Sequence, residues 1–520
     1  MSGKLRLMAE SVRSAYAAGE EDEQLLPRVL TAAGRPVGRI ADGDPVIFYD
    51  IRGEREVELT RAFTDPAFKA FPTGGRRARF FTMIEYHSSL DARVAFPPEV
   101  ALSGTFCAAV TAAGKRLVKV VESEKAIHLS YFLNGKRETV FPGERLVVVE
   151  SRKDVTNYDQ APEMSAAEIT DQVLAELRGE AEVIVVNYAN VDVVGHIEDA
   201  GAVIAAVETV DRELGRVLSA ARAAGVTAIV TADHGTVEKW LYPDGKVDTG
   251  HTDSAVPFAL VGPGLAGLKL RAGGALTDVA PTALSLLGLP VPAEMTGRSL
   301  IDGPAPAPVP RLLLLILDGW GERDDDYGNM IKKARTPNME RLRRDCPFVP
   351  IAAAGEAVGM PPGKVGNSEA GHLHLGAGRL VLSDRARIDA AIKDGSFARN
   401  PAWIEAMEIA RRENRPLHLL GIVSFYSSHG SVDHLYALLR MAKERGAPTV
   451  YHHALLGRRG ERPEAGARYI DDVEEFCAKL GLGRVVTVMG RFWALDREEN
   501  WDRVEKTWRA LVEGEGVKVS

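Results

Sequence analysis

The sequence predicts an α/β protein with a doubly wound sheet, and three observations carry that prediction. Short, wholly apolar runs alternate with amphipathic stretches, the mark of parallel strands buried on both faces. Several of those runs stop at acidic residues, where an open α/β sheet places its ligands. The length, 520 residues, suits two large domains or three smaller ones.

The clearest runs are Glu182–Tyr188 (EVIVVNY), Thr227–Thr231 (TAIVT), Phe258–Val261 (FALV) and Leu312–Leu317 (LLLLIL), all read as parallel strands. Between them Ala202–Ala223 has apolar residues at helical spacing and predicts a helix packed on the sheet. Gly303–Pro310 (GPAPAPVP) is stiff and extended and reads as a linker. Composition is that of a folded protein, with 45% hydrophobic and 26% charged residues. A net charge of -8 argues against a nucleic-acid partner but leaves room for a local arginine cluster that binds a small phosphorylated molecule. Cys107, Cys346 and Cys477 are odd in number and outside metal-ligand spacing, so they read as reduced thiols. No apolar run is long enough for secretion or for a bilayer. The expectation is a cytoplasmic monomer with no membrane association.

Chemistry concentrates at the strand ends. LLLLIL runs into Asp318-Gly319-Trp320-Gly321, and TAIVT into Ala232-Asp233-His234-Gly235. EVIVVNY is followed by Asp192 and, four residues on, His196, an i, i+4 pair that shares one helix face and can grip one ion. Adjacent Asp233 and His234 point in different directions and can serve two ions. His251 follows in the glycine-containing loop Thr249-Gly250-His251-Thr252. Carboxylates and imidazoles without thiolates suit Mn²⁺, with Zn²⁺, Co²⁺ or Mg²⁺ as alternatives. Ser368, in Gly366-Asn367-Ser368-Glu369-Ala370-Gly371-His372, is the nucleophile candidate, since flanking glycines and a helix start favour an anion; a plain capping serine is the competing reading. Arg52, Arg55, Arg459, Arg491 and Arg497 follow apolar segments and have the guanidinium geometry that matches phosphate and carboxylate.

Taken together, Leu-Asp318-Gly-Trp-Gly, Gly-Asn-Ser368-Glu-Ala-Gly-His, Gly-Arg491-Phe-Trp-Ala-Leu-Asp-Arg497, Thr-Ala-Asp233-His234-Gly and Asp192-Val-Val-Gly-His196 resemble the motifs of cofactor-independent phosphoglycerate mutases of the alkaline phosphatase superfamily. The order differs from that family's. The segment Glu294–Leu300, which resembles its end, precedes Asp318, which resembles its beginning, so the resemblance implies a circular permutation. It then implies a contiguous phosphatase-like metal-binding domain over residues 96–382, with residues 303–310 as the join. The second α/β domain, a phosphotransferase domain, is divided between residues 1–95 and 383–520.

The resemblance also implies roles. One ion falls to Asp192, His196 and His251, and the other to Asp318, Ser368, Asp233 and His234. Lys125 assists Ser368 and the phosphate, and His429 contacts substrate with Arg52, Arg55, Arg459, Arg491 and Arg497. His128, His372, His374, His434, His452 and His453 carry no assignment. The implied reaction interconverts 3-phosphoglycerate and 2-phosphoglycerate through a phosphoserine, with two divalent ions and without 2,3-bisphosphoglycerate. Phe425–Ser428 and Gly457–Gly460 depart from the family's loops. The alternative is therefore a metal-dependent phosphatase, or a mutase for another small phosphorylated acid.

Overall fold

The computed structural model describes residues 6–98, 101–138, 140–265, 267–304, 306–424, 429–457 and 464–520. Arg459 and the departures at 425–428 and 458–460 lie outside the described residues. The chain divides into two compact units, Glu99–Ser383 and the combination of Met1–Pro98 with Asp384–Ser520. Among the described residues no helix is long and apolar enough to cross a membrane.

The Glu99–Ser383 unit is built on a seven-stranded sheet. From one edge its strands are Phe348–Ile351, Val256–Val261, Thr227–Thr231, Leu312–Leu317, Val183–Tyr188, Leu117–Glu122 and Glu144–Val149. Leu312–Leu317 lies centrally and pairs in parallel with both neighbours, Leu312 opposite Val183 on one side and Thr227 on the other. Its six side chains are all at most 1% exposed, and each such burial contributes about 1.5–3 kcal/mol. That burial fixes where the strand stops and where Asp318 emerges. Helices Ala166–Arg178 and Ala200–Ala223 pack on each other, while Phe106–Ala112, Val279–Leu286 and Ser368–Ala377 form a second group. Asp199 caps the long helix by accepting a hydrogen bond from Ala202 N at 2.9 Å.

Two expectations are corrected. The strand holding Phe258–Val261 is antiparallel to Thr227–Thr231, so the sheet is mixed. An apolar run encodes burial on two faces, not the direction of its neighbour. The proline-rich join is not a bare linker: Val309 N donates to Leu286 O at 2.8 Å, and Val309 packs against the core of this unit.

The other unit contains a nine-stranded sheet to which both ends of the chain contribute. Arg484–Gly490, Val450–Leu456, Leu417–Ile422, Pro45–Phe48, Arg79–Ile84 and Ala92–Phe96 run parallel in that order. Arg28–Ala32 joins antiparallel beyond Arg484–Gly490. The last strand, Val517–Val519, pairs in parallel with Arg28–Ala32, the first strand of the chain, so the first and last strands are hydrogen-bonded neighbours.

Candidate metal centre

Four adjacent parallel strands deliver the site from their carboxyl ends. Leu117–Glu122 leads into the turn Ser123–Lys125, and Val183–Tyr188 into the helix Asn190–Gly195 that carries Asp192. Leu312–Leu317 leads directly to Asp318, and Thr227–Thr231 to Asp233 and His234. Gly319, at φ +83°, turns the chain past Asp192; a Cβ there would stand 2.6 Å from Asp192 N. Ser368 opens the helix Ser368–Ala377 and is not its cap: Asn367 fills that role, accepting from Ala370 N at 2.8 Å. The serine hydroxyl is thereby not taken up in capping.

Around Ser368 the side chains converge. Lys125 Nζ donates to Asp192 Oδ2 at 2.6 Å, to Asp318 Oδ1 at 2.8 Å and to Ser368 Oγ at 2.7 Å. His234 Nε2 lies 2.9 Å from Ser368 Oγ and 3.5 Å from each of Asp192 Oδ1, Asp233 Oδ2 and Asp318 Oδ1. Asp192 Oδ1 also stands 3.3 Å from His196 Nε2 and 3.2 Å from His251 Nε2. His196 is the residue capping the short helix and not a member of its last turn, yet it still reaches Asp192.

Among the described residues, three groups of donors have metal-ligand spacing: Asp192 with His196 and His251; Asp192 with His234 and Asp318; and Asp233 with Asp318 and His372. His234 and Asp233 thus belong to different groups. The sequence reading left His372 unassigned and did not weigh Asn187. Asn187 Nδ2 donates to Asp318 Oδ2 at 2.7 Å and lies 3.0 Å from His372 Nε2, while His372 Nδ1 lies 2.8 Å from Ser368 O. The only available signal for His372 was its place four residues beyond Ser368, on the same helix face.

Electrostatics favour a cation here. Burial raises Asp318, with Asp233 adding to the shift. Burial also acts to raise Asp192 and Asp233, but the surrounding cations and donors, led by Lys125 at Asp192 and His234 at Asp233, together outweigh it and leave both below the usual carboxylate range. Burial acts to lower His234, and the charges of Asp233, Asp192 and Asp318 more than reverse it. Asp233 Oδ2 is buried without a hydrogen-bond partner, an orphan acceptor that a metal ion would satisfy. A buried carboxylate and imidazole set of this kind fits divalent metal binding.

The remaining sequence candidates lie in the other unit. Arg491 begins the short helix after Arg484–Gly490, and its Nε donates to Glu23 at 2.9 Å. Arg497 donates to Glu54 at 3.0 Å, and Arg52 stands 3.8 Å from that same carboxylate. Arg55 donates to Leu495 O at 3.1 Å, which draws the Arg491–Arg497 segment towards the Arg52–Arg55 turn. His429 Nδ1 lies 3.0 Å from Glu56 Oε1.

Residues 96–291 match the family described as Metalloenzyme superfamily. Residues 2–88 and 388–520 match the family described as BPG-independent PGAM N-terminus. A 2,3-bisphosphoglycerate-independent phosphoglycerate mutase of Moorella thermoacetica is 44% identical over 295 residues. Over the matched segments the chain is similar to this mutase family. The same enzyme of Pseudomonas aeruginosa is 42% identical over 309 residues, 58% of this chain and 59% of the relative. The Moorella match covers 56% of this chain and 57% of the relative, so the chain spans little more than half the length of the curated mutases it matches. A solved phosphoglycerate mutase of Leishmania mexicana, studied at low cobalt concentration, is 30% identical over 53% of each chain, with a TM-score of 0.39.

Proposed function

We propose that this chain is a member of the mutase family and interconverts 3-phosphoglycerate and 2-phosphoglycerate through a phosphoserine on Ser368, without 2,3-bisphosphoglycerate. The observation that carries the reading is the convergence of Lys125 Nζ and His234 Nε2 on Ser368 Oγ, at 2.7 and 2.9 Å, inside a buried set of metal donors. Two divalent ions, Mn²⁺ by donor chemistry, would be held by Asp192, His196 and His251 and by Asp318, Asp233, His234 and Ser368, and would supply Lewis-acid stabilisation of phosphoryl oxygens. His372 stands within reach of Asp233 and Asp318 as a further donor.

Ser368 Oγ attacks phosphorus in line, and the bond from phosphorus to the C3 oxygen breaks. Lys125, already donating to Ser368, offsets charge on the phosphoryl group. The C2 hydroxyl of the retained glycerate then attacks the phosphoserine and regenerates Ser368. His429 and the guanidinium groups of Arg52, Arg55, Arg459, Arg491 and Arg497 hold the substrate's charged and hydroxyl groups. Circular permutation is part of the proposal. It is supported by the match of both chain ends to a family described as an N-terminus and by the pairing of Val517–Val519 with Arg28–Ala32. So is a two-domain division at residues 96 and 382, and a monomeric enzyme of the cytoplasm.

The test is incubation of the purified chain with 3-phosphoglycerate and Mn²⁺, with and without 2,3-bisphosphoglycerate, scoring isomer and inorganic phosphate separately. Isomer formed without the bisphosphate, lost in Ser368→Ala and under chelation, is the expected result. Phosphate alone would favour the phosphatase reading, and full turnover in Ser368→Ala would overturn the mechanism.

A further inference from the structure

A second set of buried ionisable groups lies at the carboxyl ends of the strands in the other unit. Asp50 follows the strand Pro45–Phe48 by two residues, and Glu56 occupies the capping position of the helix Val57–Thr64. Both carboxyls are 0% exposed, and His429 is 2% exposed. His429 Nδ1 faces Glu56 Oε1 at 3.0 Å. The backbone locks this pair in place: Ile51 N donates to His429 O at 2.6 Å, and Ile422 N to Asp50 Oδ1 at 2.7 Å. Tyr86 Oη donates to Phe48 O at 2.9 Å and to Asp50 O at 2.8 Å. Room for the acid is reserved by glycines, since a Cβ on Gly421 or Gly430 would stand 2.7 or 3.2 Å from Asp50 Oδ1.

Two neighbouring carboxyls wholly out of water cannot both ionise cheaply. Burial lifts Glu56 to about 8 against the pull of Arg52 and Arg55. Burial and then the charge of Glu56 hold Asp50 well above its ordinary range. Among the charged and titratable groups acting on Glu56 or on Asp50 beside it are Arg52, Arg55 and Tyr86, while Tyr49 feels Asp50. The raised Glu56 carboxyl thus faces an imidazole nitrogen at hydrogen-bond distance.

We propose that Glu56 and His429 form a proton relay serving the two hydroxyl oxygens of the substrate. The inference rests on the mutase reading, which requires the C3 oxygen to gain a proton and the C2 oxygen to lose one. In the first transfer His429 Nε2 gives its proton to the departing C3 oxygen while Glu56 passes its own to Nδ1. Glu56 is left as carboxylate and His429 as the Nδ1–H tautomer. In the second transfer Nε2 takes the proton of the attacking C2 hydroxyl, and Nδ1 returns its proton to Glu56. The cycle closes with no net proton consumed. His429 touches the substrate; Glu56 acts through it.

The experiment compares the full native chain with Glu56→Gln on 3-phosphoglycerate with Mn²⁺ across pH 6 to 9, following isomer and phosphate, and follows the His429 ring by ¹⁵N NMR. Expected are a fall of about 10²-fold in kcat for isomerisation with KM changed by less than about threefold, and loss in Glu56→Gln of an alkaline limb near pH 8. The native ring nitrogens should change near pH 8 and the variant's should not. An unchanged kcat, or an alkaline limb that survives in Glu56→Gln, overturns the relay. Should the native chain make no isomer, it is the mutase reading that fails, and the NMR arm still decides whether the pair shares a proton. Should Glu56→Gln not fold, the native titration decides alone: a ring-nitrogen change near pH 8 supports the relay, and none between pH 6 and 9 overturns it.

Discussion

Replacing Lys125 by methionine keeps the side chain's length and removes its charge from the centre of the metal site. The ammonium group is 6% exposed and donates at 2.6 and 2.8 Å to Asp192 and Asp318, which are 7% and 0% exposed. Breaking one side of a buried ion pair costs about 3–5 kcal/mol. Asp192 keeps His196 and His251 as neighbours, so the lower end, about 3 kcal/mol, applies. For a unit of this size each kcal/mol moves Tm by about 2–4 °C, so chelated Lys125→Met should melt roughly 6–12 °C below the chelated native chain. Adding Mn²⁺ should narrow that gap, because an ion restores positive charge among the same carboxylates, and the variant should bind Mn²⁺ more tightly than the native chain. Turnover should nonetheless fall by about 10²- to 10³-fold, the scale of losing one preorganised donor to a phosphoryl group. Thermal melts in chelator and in a Mn²⁺ series, with the turnover assay beside them, measure each part. Equal melting temperatures in chelator, or a gap that Mn²⁺ leaves untouched, would refute the idea that Lys125 balances these carboxylates.

Gly371→Ala should lower turnover at least about tenfold, since the added Cβ would stand 2.5 Å from Asp233 O and push the Ser368 helix away from the donors; kinetics at saturating Mn²⁺ check it. Glu474 accepts weakly from Met8 N and Ala9 N at 3.4 and 3.3 Å, and burial lifts it to about 7. Its raised pKa means the folded state favours the protonated form, so its contribution is present below the ordinary carboxylate range and is lost as pH rises through about 7. Urea melts should show Glu474→Gln flattening that loss between pH 4.5 and about 7, the window in which this group titrates differently in the two states. Moving residues 311–520 ahead of residues 1–302, joined through Ser520 and Met1, should yield a folded, active chain, because the strands nearest those ends are already paired; circular dichroism and the isomer assay test it.

The sequence by itself determined the strands and the groups at their ends. Six consecutive apolar residues followed by Asp318, or Ala228–Val230 between two threonines followed by Ala232 and Asp233, state locally that a buried strand stops and a polar group emerges. The helix start at Ser368 was equally legible, although the adjacent Asn367 proved to be the cap. Tertiary structure alone decided which strand ends meet. Lys125 joins the serine across 243 positions of sequence and His429 joins Glu56 across 373, and neither pairing leaves any periodicity to read. It decided, too, that Val256–Val261 runs antiparallel to its neighbour. The physical reason is common to all three. Hydrophobic patterning records how much of each side chain leaves water, whereas strand order and direction are set by backbone hydrogen bonds that every residue type can make.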